Sequence, residues 1–427
     1  MPLKKKPVSG MKDILPIEMQ IREYVLEVIR STYRSFGYTA IDTPAVEHIE
    51  NLSSKQGGDN EQLIFKILKR GEKLSLQNAE SENDLCDSGL RYDLTVPLVR
   101  YFAAHENELP TPFKALQIGN VWRADRPQRG RFRQFTQCDI DIIGDASSAA
   151  EVELILATAQ ALTKIGFKGF QIRVNDRRIL SFMASYCGFG EEEQTEVFAS
   201  LDKMEKIGND GVLAELEEKG FDSVKIKKVL DIIAVLQKLG RESDASSLMK
   251  QLALLLKGYL NPHVAADLGT VINNILALKT SEWEIVFDPT LVRGMGYYTG
   301  TVFEVNVPEL GGSLGGGGRY DKMIGAFTGK NVPAVGFSLG FERIILLLME
   351  RGFVVPEQSE RRAYLIEKGV ENSKVIEIMQ KAQLEREQGE IVLVIWMNKN
   401  KKFQIEQLQK EGYTQIVDVY LEDSKPT

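Results

Sequence analysis

FKALQIGNVWRADRPQRGRFRQFTQCDIDIIG, residues 113–144, is the stretch whose reading decides the fold. Its flanks, FKALQIGNVW and RQFTQCDIDIIG, have the apolar and β-branched content of strands. Between them WRADRPQRGRFR, residues 122–133, carries proline, glycine and charge. The pattern is strand, basic turn, strand, a long antiparallel hairpin. The turn sets five arginines against one aspartate. Guanidinium forks match phosphate oxygens, so the turn reads either as a solvated hairpin tip or as a polyanion contact. The chain's formal charge is -7, so it has no general attraction for polyanions. Arginines gathered in one turn of such a chain favour the second reading, since local charges neutralise phosphates. The second flank places Gln137, Asp139 and Asp141 on one face of a strand, which faces water or lines a polar pocket.

Working outward, residues 17–36 repeat apolar residues at helical spacing, with Gly37 behind them as a helix stop. YTAIDTP, LIFKIL and KLSLQ read as strands, and NAESENDLCDSG as a loop. LRYDLTVPLVRYF, residues 90–102, reads as a strand entering a helix. Asp93 and Thr95 then share one face, as a carboxylate and hydroxyl for a cationic amine or as a helix N-cap. A helix over 149–165 and the strand FQIRV follow. Residues 176–280 turn to Glu, Lys and Leu at helical spacing, an all-helical insertion.

LVRGMGYYTGTVFEV, residues 291–305, reads as a strand that carries Arg293. Burying an unpaired guanidinium costs several kcal/mol, so Arg293 faces either water or an anion. GGSLGGGGRYD lacks the spacing of a phosphate-binding loop or a dinucleotide fingerprint, so its glycines mark close approach of a ligand or a neighbouring backbone. PAVGFSLGFERIILLLMERG is a strand turning into a helix. After a linker at 351–360, strands and helices alternate over 361–427 as a small α/β domain with a partly parallel sheet.

Length and composition agree with this division. A chain of 427 residues suggests two to three domains, and 43% hydrophobic with 26% charged residues is ordinary for a globular protein. Cys86, Cys138 and Cys187 form no C-x-x-C pair and the three histidines are scattered, so neither a protein-ligated zinc site nor a disulfide framework is expected. The N-terminal MPLKKKPVSG has no apolar run behind it, and no segment approaches a membrane span, so a cytoplasmic location is expected.

Taken together, these segments resemble the class II aminoacyl-tRNA synthetases, most closely the histidyl family. MQIREYVLEVIRSTYRSFGYTAIDTPAVE resembles motif 1, GNVWRADRPQRGRFRQFTQCDIDIIG motif 2 and PAVGFSLGFERIILLL motif 3. LVRGMGYYTGTVFEV and GGGGRYD resemble the two histidine-specific signatures. The resemblance covers nearly all of 8–350. It implies an α+β fold in which an antiparallel sheet flanked by helices forms a catalytic domain of residues 1–175 and 281–350. The insertion at 176–280 interrupts that domain, and the 361–427 tail resembles the family's anticodon-binding domain.

The resemblance implies that L-histidine and ATP, taken with Mg²⁺ and without an organic cofactor, form histidyl-adenylate and pyrophosphate. Histidine then passes to the 3′ end of tRNA(His). The histidine carboxylate is already ionised and needs no general base, so catalysis rests on alignment and charge stabilisation. By the same resemblance Arg293 and Arg123 are catalytic, meeting the α-phosphate from opposite sides. Asp125, Arg131 and Arg343 join Arg123 in binding ATP, with Arg343 at its far end. Asp93 and Thr95 grip the α-ammonium, Gln137 lies near the carboxylate, and Asp141 and Tyr298 bracket the imidazole beside Tyr297. Arg126 and Arg129 are candidates for the tRNA acceptor end. Motif 1 implies a homodimer. The chain departs from the family pattern at Gly296, where an aspartate usually precedes the Tyr pair, and its tail matches loosely. A rival reading is a histidine-binding paralogue without activation chemistry, like the regulatory subunit of ATP phosphoribosyltransferase. Arg293 and the tail weigh against it.

Overall fold

The computed structural model describes residues 3–53, 62–77, 79–242, 244–293, 297–356 and 361–421. Gly296 lies outside the described residues, as do 357–360 of the expected linker and 422–427 of the tail. The chain divides into two compact units, Met1–Asp13 with Val25–Glu350, and Ile14–Tyr24 with Arg351–Thr427.

The helix read over 17–36 is α1 (Pro16–Ser35), and Gly37 follows with φ 84°, a left-handed value that glycine adopts without strain. β1 (Thr39–Ala40), β2 (Val46–His48), α2 (Ile49–Leu52) and β3 (Lys66–Leu68) come next. YTAIDTP contributes only the two residues of β1. KLSLQ is not a strand: a 3₁₀ turn spans Gly71–Lys73, and Leu76 is exposed. The polar stretch read as a loop instead forms α3 (Glu82–Leu85) and β4 (Cys86–Leu90). Asp84 Oδ2 accepts the N–H groups of Glu80 and Ser81 and starts that helix. β4 is the centre of a small antiparallel sheet, β2-β4-β3, so pairing on both edges overrides its weak intrinsic preference.

After α4 (Thr95–His105), the hairpin forms as read. β5 (Phe113–Trp122) and β6 (Gln134–Ile143) pair antiparallel from Phe113↔Ile143 to Trp122↔Gln134. α5 (Ser148–Ile165) and β7 (Gln171–Asp176) follow, and then six helices run consecutively: α6 (Arg177–Cys187), α7 (Glu191–Leu201), α8 (Met204–Glu218), α9 (Ser223–Glu242), α10 (Ala245–Leu255) and α11 (Pro262–Leu278). Local chemistry sets their starts. Asp176 accepts the Arg178 N–H at α6, Asp244 caps α10, and Asn261 with Pro262 opens α11. β8 (Glu284–Phe287), β9 (Thr301–Val307), β10 (Gly312–Arg319), α12 (Asp321–Thr328), β11 (Ala334–Gly340) and α13 (Phe341–Glu350) complete the unit.

Its main sheet has eight strands in the order β1-β5-β6-β11-β10-β9-β7-β8. The six inner strands are antiparallel, as expected, whereas β1 and β8 pair parallel to their neighbours at the two edges. α5 packs against β6 and β11, and α13 against β6 and β10. The glycine run of β10 marks close backbone approach: a Cβ on Gly317 would lie 1.9 Å from the Gly336 carbonyl oxygen on β11.

In the second unit, β12 (Arg361–Ile366), α14 (Asn372–Glu387), β13 (Ile391–Trp396), α15 (Lys401–Lys410) and β14 (Gln415–Val419) alternate. The sheet order is β13-β12-β14, and both pairings are parallel. Val375, Ile378 and Ala382 of α14 bury against Tyr364 and Ile366, while Leu408 of α15 packs with Ala363 and Leu365. Alternate residues of β12 thus face opposite helices, as the period of two requires.

Candidate active site

The alternation along β6 sends Gln137, Asp139 and Asp141 to one face, where they line a cavity of about 840 Å³ in the first unit. The three are 8%, 2% and 4% exposed, so the face read as wet or pocket-lining belongs to the pocket. Asp93 arrives from the turn between β4 and α4, and Thr95 is the first residue of α4. The two are not on a strand as expected, yet both line the cavity. Arg91, from the same stretch, turns elsewhere and donates to the carbonyls of Asn120 at 2.9 Å and Thr43 at 2.5 Å. Asp93 Oδ1 accepts the Val96 N–H at 3.0 Å, so the capping reading holds for that oxygen.

The other polar atoms leave a pattern. Among the described residues, Asp93 Oδ2, Gln137 Oε1, Asp139 Oδ1 and Arg293 Nε are buried without a hydrogen-bond partner, and all four residues line this cavity. A buried polar atom left unpaired costs about 1–3 kcal/mol, so three acceptors and a donor around one space indicate a ligand that supplies their partners. Gln137 Nε2 is already taken, donating to Ser338 Oγ at 2.8 Å, so only its oxygen is available.

The cavity is lined by groups of both charge signs. Burial raises the carboxyls of Asp93 and Asp139, the latter well above its ordinary range with the adjacent Asp141 adding to the shift. Burial brings Asp141 to about 7, opposed by the Tyr320 hydroxyl, which donates to Asp141 Oδ1 at 2.6 Å. Carboxyls poised in this way gain most from a cationic guest. Around Asp141 the rings of Tyr297 and Tyr298 stand 4.7 Å apart, and Tyr297 meets Tyr320 edge-on at 6.2 Å. Burial keeps both phenols of the Tyr297–Tyr298 pair neutral.

Arg123, Arg131, Arg343 and Arg293 line the same cavity, and the Arg123 charge acts on both Asp93 and Asp139. Arg123 is fixed by its Nε donation to Tyr92 O at 2.8 Å and lies 5.2 Å over the Phe135 ring. Arg343 donates to Ser313 O; burial lowers its pKa, and the like charge of Arg131 adds to that. Asp125 also lines the cavity. Arg129 lines the cavity but is held by Glu350 in a bidentate pair, and Arg126 is exposed and away from the lining.

Arg293 is not on a strand, since β9 begins only at Thr301, and it has φ 56°. It does not face water: its side chain is 23% exposed, and Nη1 donates to Glu304 Oε2 at 2.7 Å. Of the two expected readings, water or an anion, the second holds, and the anion lies within the chain. Burial disfavours its charge, but the neighbouring Tyr298 and Glu304 hold its pKa above the ordinary value.

Sequence reasoning named neither Glu304, Ser338 nor Tyr320 as site residues. The alternation of TVFEVNV singles out Glu304 as a lone acid on a strand, and GGGGRYD contains Tyr320. Ser338 reaches the site only because β11 pairs it with Asp139, a long-range register no local pattern displays. Arg173, Asp202, Glu205, Lys206 and Asp288 also line the cavity. Among the described residues no three His, Cys, Asp or Glu side chains are grouped so as to hold a metal ion, and no helix is long and apolar enough to cross a membrane.

Comparison with known proteins fits a site lined by both carboxyls and arginines. The Histidyl-tRNA synthetase family pattern matches residues 10–344. A histidine–tRNA ligase of Leifsonia xyli is 46% identical over 346 residues, 80% of each chain. A probable histidine–tRNA ligase of Tropheryma whipplei is 36% identical over 433 residues, covering 99% of this chain and 97% of its own. The crystal structure of histidyl-tRNA synthetase from Nostoc superposes with a TM-score of 0.77 at 26% identity, covering 99% of this chain and 93% of that one. A Bacillus halodurans structure described as an ATP phosphoribosyltransferase regulatory subunit/histidyl-tRNA synthetase shares the fold, with a TM-score of 0.76 at 21% identity over 99% and 100% of the two chains. With the family pattern spanning the sheet, the cavity and the insertion alike, the chain belongs to the histidyl-tRNA synthetase family.

Proposed function

We propose that the cavity is where this chain, a histidine–tRNA ligase by family, joins histidine to ATP before passing it to tRNA(His). The observation that carries this assignment is one cavity that gathers buried carboxyls with unpaired acceptors and four arginines. An α-amino acid with a cationic amine and an anionic carboxylate, meeting a polyphosphate, satisfies both kinds of group at once.

In the first step the histidine carboxylate attacks the α-phosphorus of ATP, and pyrophosphate leaves. Asp93 and Thr95 take the α-ammonium, with Asp93 Oδ2 as its acceptor, and Gln137 borders the carboxylate. Asp141, held by Tyr320, and Tyr298 bracket the imidazole with Tyr297 alongside. An isosteric apolar side chain leaves these buried groups unpaired, which is a basis for rejection without editing. Arg123 and Arg293 flank the α-phosphate and take up its developing charge. Asp125, Arg131 and Arg343 hold the rest of ATP, with Arg343 at its far end. Such arginine clamps act by positioning and charge stabilisation. Magnesium enters as the partner of the ATP phosphates, as part of the nucleotide substrate.

In the second step the terminal ribose hydroxyl of tRNA(His) takes histidine from the adenylate. Arg126, exposed on the hairpin turn, is free to meet the acceptor end, and Arg129 exchanges Glu350 for phosphate. Residues 1–175 and 281–350 form the catalytic domain, 176–280 the insertion, and 361–427 the part that meets the anticodon arm. The enzyme is a cytoplasmic homodimer through motif 1.

The test is histidine-dependent ATP–pyrophosphate exchange without tRNA, beside Arg293→Ala. Exchange with histidine alone, falling on the order of 10²- to 10³-fold in the variant, is expected. Histidine binding without exchange in the unaltered protein overturns the assignment in favour of a regulatory paralogue.

A further inference from the structure

Arg293 sits where its backbone is least at ease. It has a positive φ, 56°, a conformation that costs a non-glycine residue about 1 kcal/mol or more and persists only when its surroundings impose it. Those surroundings are specific. Asn175 Nδ2 donates to Leu291 O at 3.1 Å and Arg177 Nη1 to Val292 O at 3.4 Å, so the carbonyls just before Arg293 are tied to the end of β7 and the first turn of α6. The Arg177 N–H donates to Gly300 O at 3.0 Å and closes the far side of the segment.

The guanidinium is fixed as closely as the backbone. A Cβ on Gly316 would lie 2.7 Å from Arg293 Nη1, so the absent side chain at that position of β10 is what lets the group lie against the strand. Glu304 on β9 takes Nη1 at 2.7 Å, and Nε has no partner among the described residues. A guanidinium has five N–H donors in a rigid plane, so an acceptor on one corner fixes the direction of the others. Glu304 thus leaves the Nε corner open for a second acceptor. A carboxylate in competition with substrate would instead occupy that corner.

We infer that Glu304 is the positioning residue of Arg293: it holds the guanidinium by Nη1 so that Nε is presented to the α-phosphate, and it stays in place while ATP is bound. Asn175 and Arg177 hold the backbone beneath, so the root of the insertion shares in placing this arginine. The inference rests on the proposed role of Arg293.

The experiment is a double-mutant cycle in histidine-dependent ATP–pyrophosphate exchange, with Glu304→Gln, Arg293→Ala and the double variant. Glu304→Asp, one methylene too short to keep the contact, is measured alongside, and denaturation midpoints of all variants are recorded. Glu304→Gln is expected to lower kcat about 10- to 100-fold with KM for ATP nearly unchanged, because misaiming a charge costs rate rather than ground-state binding. Glu304→Asp should behave likewise, and in the Arg293→Ala background the Glu304 change should cost nothing further. A merely structural Glu304 would cost as much in either background. The inference is overturned if the loss recurs in full without Arg293, if both Glu304 variants exchange at the unaltered rate, or if ATP binds more tightly without the carboxylate, which marks Glu304 as its competitor. If Arg293→Ala itself exchanges normally, the proposed role of Arg293 has failed instead, and that result is read independently of Glu304.

Discussion

Asp141→Asn should make the ligand-free protein more stable at pH 8 relative to the unaltered chain than at pH 4, although it removes a group assigned to histidine. Asp141 is 4% exposed and titrates at about 7. In the unfolded chain the same carboxyl has a pKa of about 3.9. Below that value both states hold the proton and Asp141 contributes no pH dependence. As pH rises from there to 7, the unfolded chain has released a proton that the folded chain keeps, so stability falls with pH and levels off above 7. Three decades at ~1.36 kcal/mol each make the loss on the order of 4 kcal/mol. Asparagine does not titrate. Its oxygen still accepts from Tyr320, while its amide adds a buried donor that costs about 1–3 kcal/mol at every pH. That fixed cost moves the whole curve without changing its slope. Asp139 and Asp93 titrate in both proteins, and removing the charge at 141 relieves Asp139, which acts in the same direction. Urea denaturation of both proteins at several pH values between 4 and 8 reads the difference in stability. The expected rise is of about 4 kcal/mol in favour of asparagine. A difference flat to within about 1 kcal/mol across that range refutes the argument, because it means that Asp141 ionises in the folded protein as it does in the unfolded one.

Gly317→Ala should be among the most damaging single-methyl changes in the chain. Its Cβ would lie 1.9 Å from the Gly336 carbonyl oxygen, and the backbone of a paired strand cannot step aside. We expect several kcal/mol of destabilisation by denaturation. Gly312→Ala on the same strand, where nothing lies within 4 Å, should stay within about 1 kcal/mol. Light scattering at micromolar concentration should give twice the 47.9 kDa of one chain, and a mass of one chain would remove the dimer assignment.

Much of the fold was legible because its signals are local. Alternation in QFTQCDIDII and a turn crowded with charge defined β5, β6 and their pairing, and the long helical periodicity of 176–280 defined six helices. Reading failed where pairing rather than propensity decided the outcome. NAESENDLCDSG carries no strand pattern, yet it supplies β4 because β2 and β3 offer ladders on both sides. KLSLQ alternates like a strand but has no partner and stays outside the sheets.

The site divides in the same way. Residue type and spacing by themselves determined that a carboxylate face and an arginine turn lie on the second strand and the loop of one hairpin, since side chains two apart on a strand share a face whatever surrounds them. Only the tertiary structure decided that this face is buried rather than wet, because the cavity it lines is walled by residues such as Thr95, Tyr297, Tyr298 and Glu304 from distant parts of the chain. It also decided that Asp141 accepts a hydrogen bond from the Tyr320 hydroxyl and that Arg293 leans on Glu304 above a glycine. Those contacts join residues whose separation in sequence carries no period, and charges so placed acquire their properties from burial and neighbours that the local sequence does not contain.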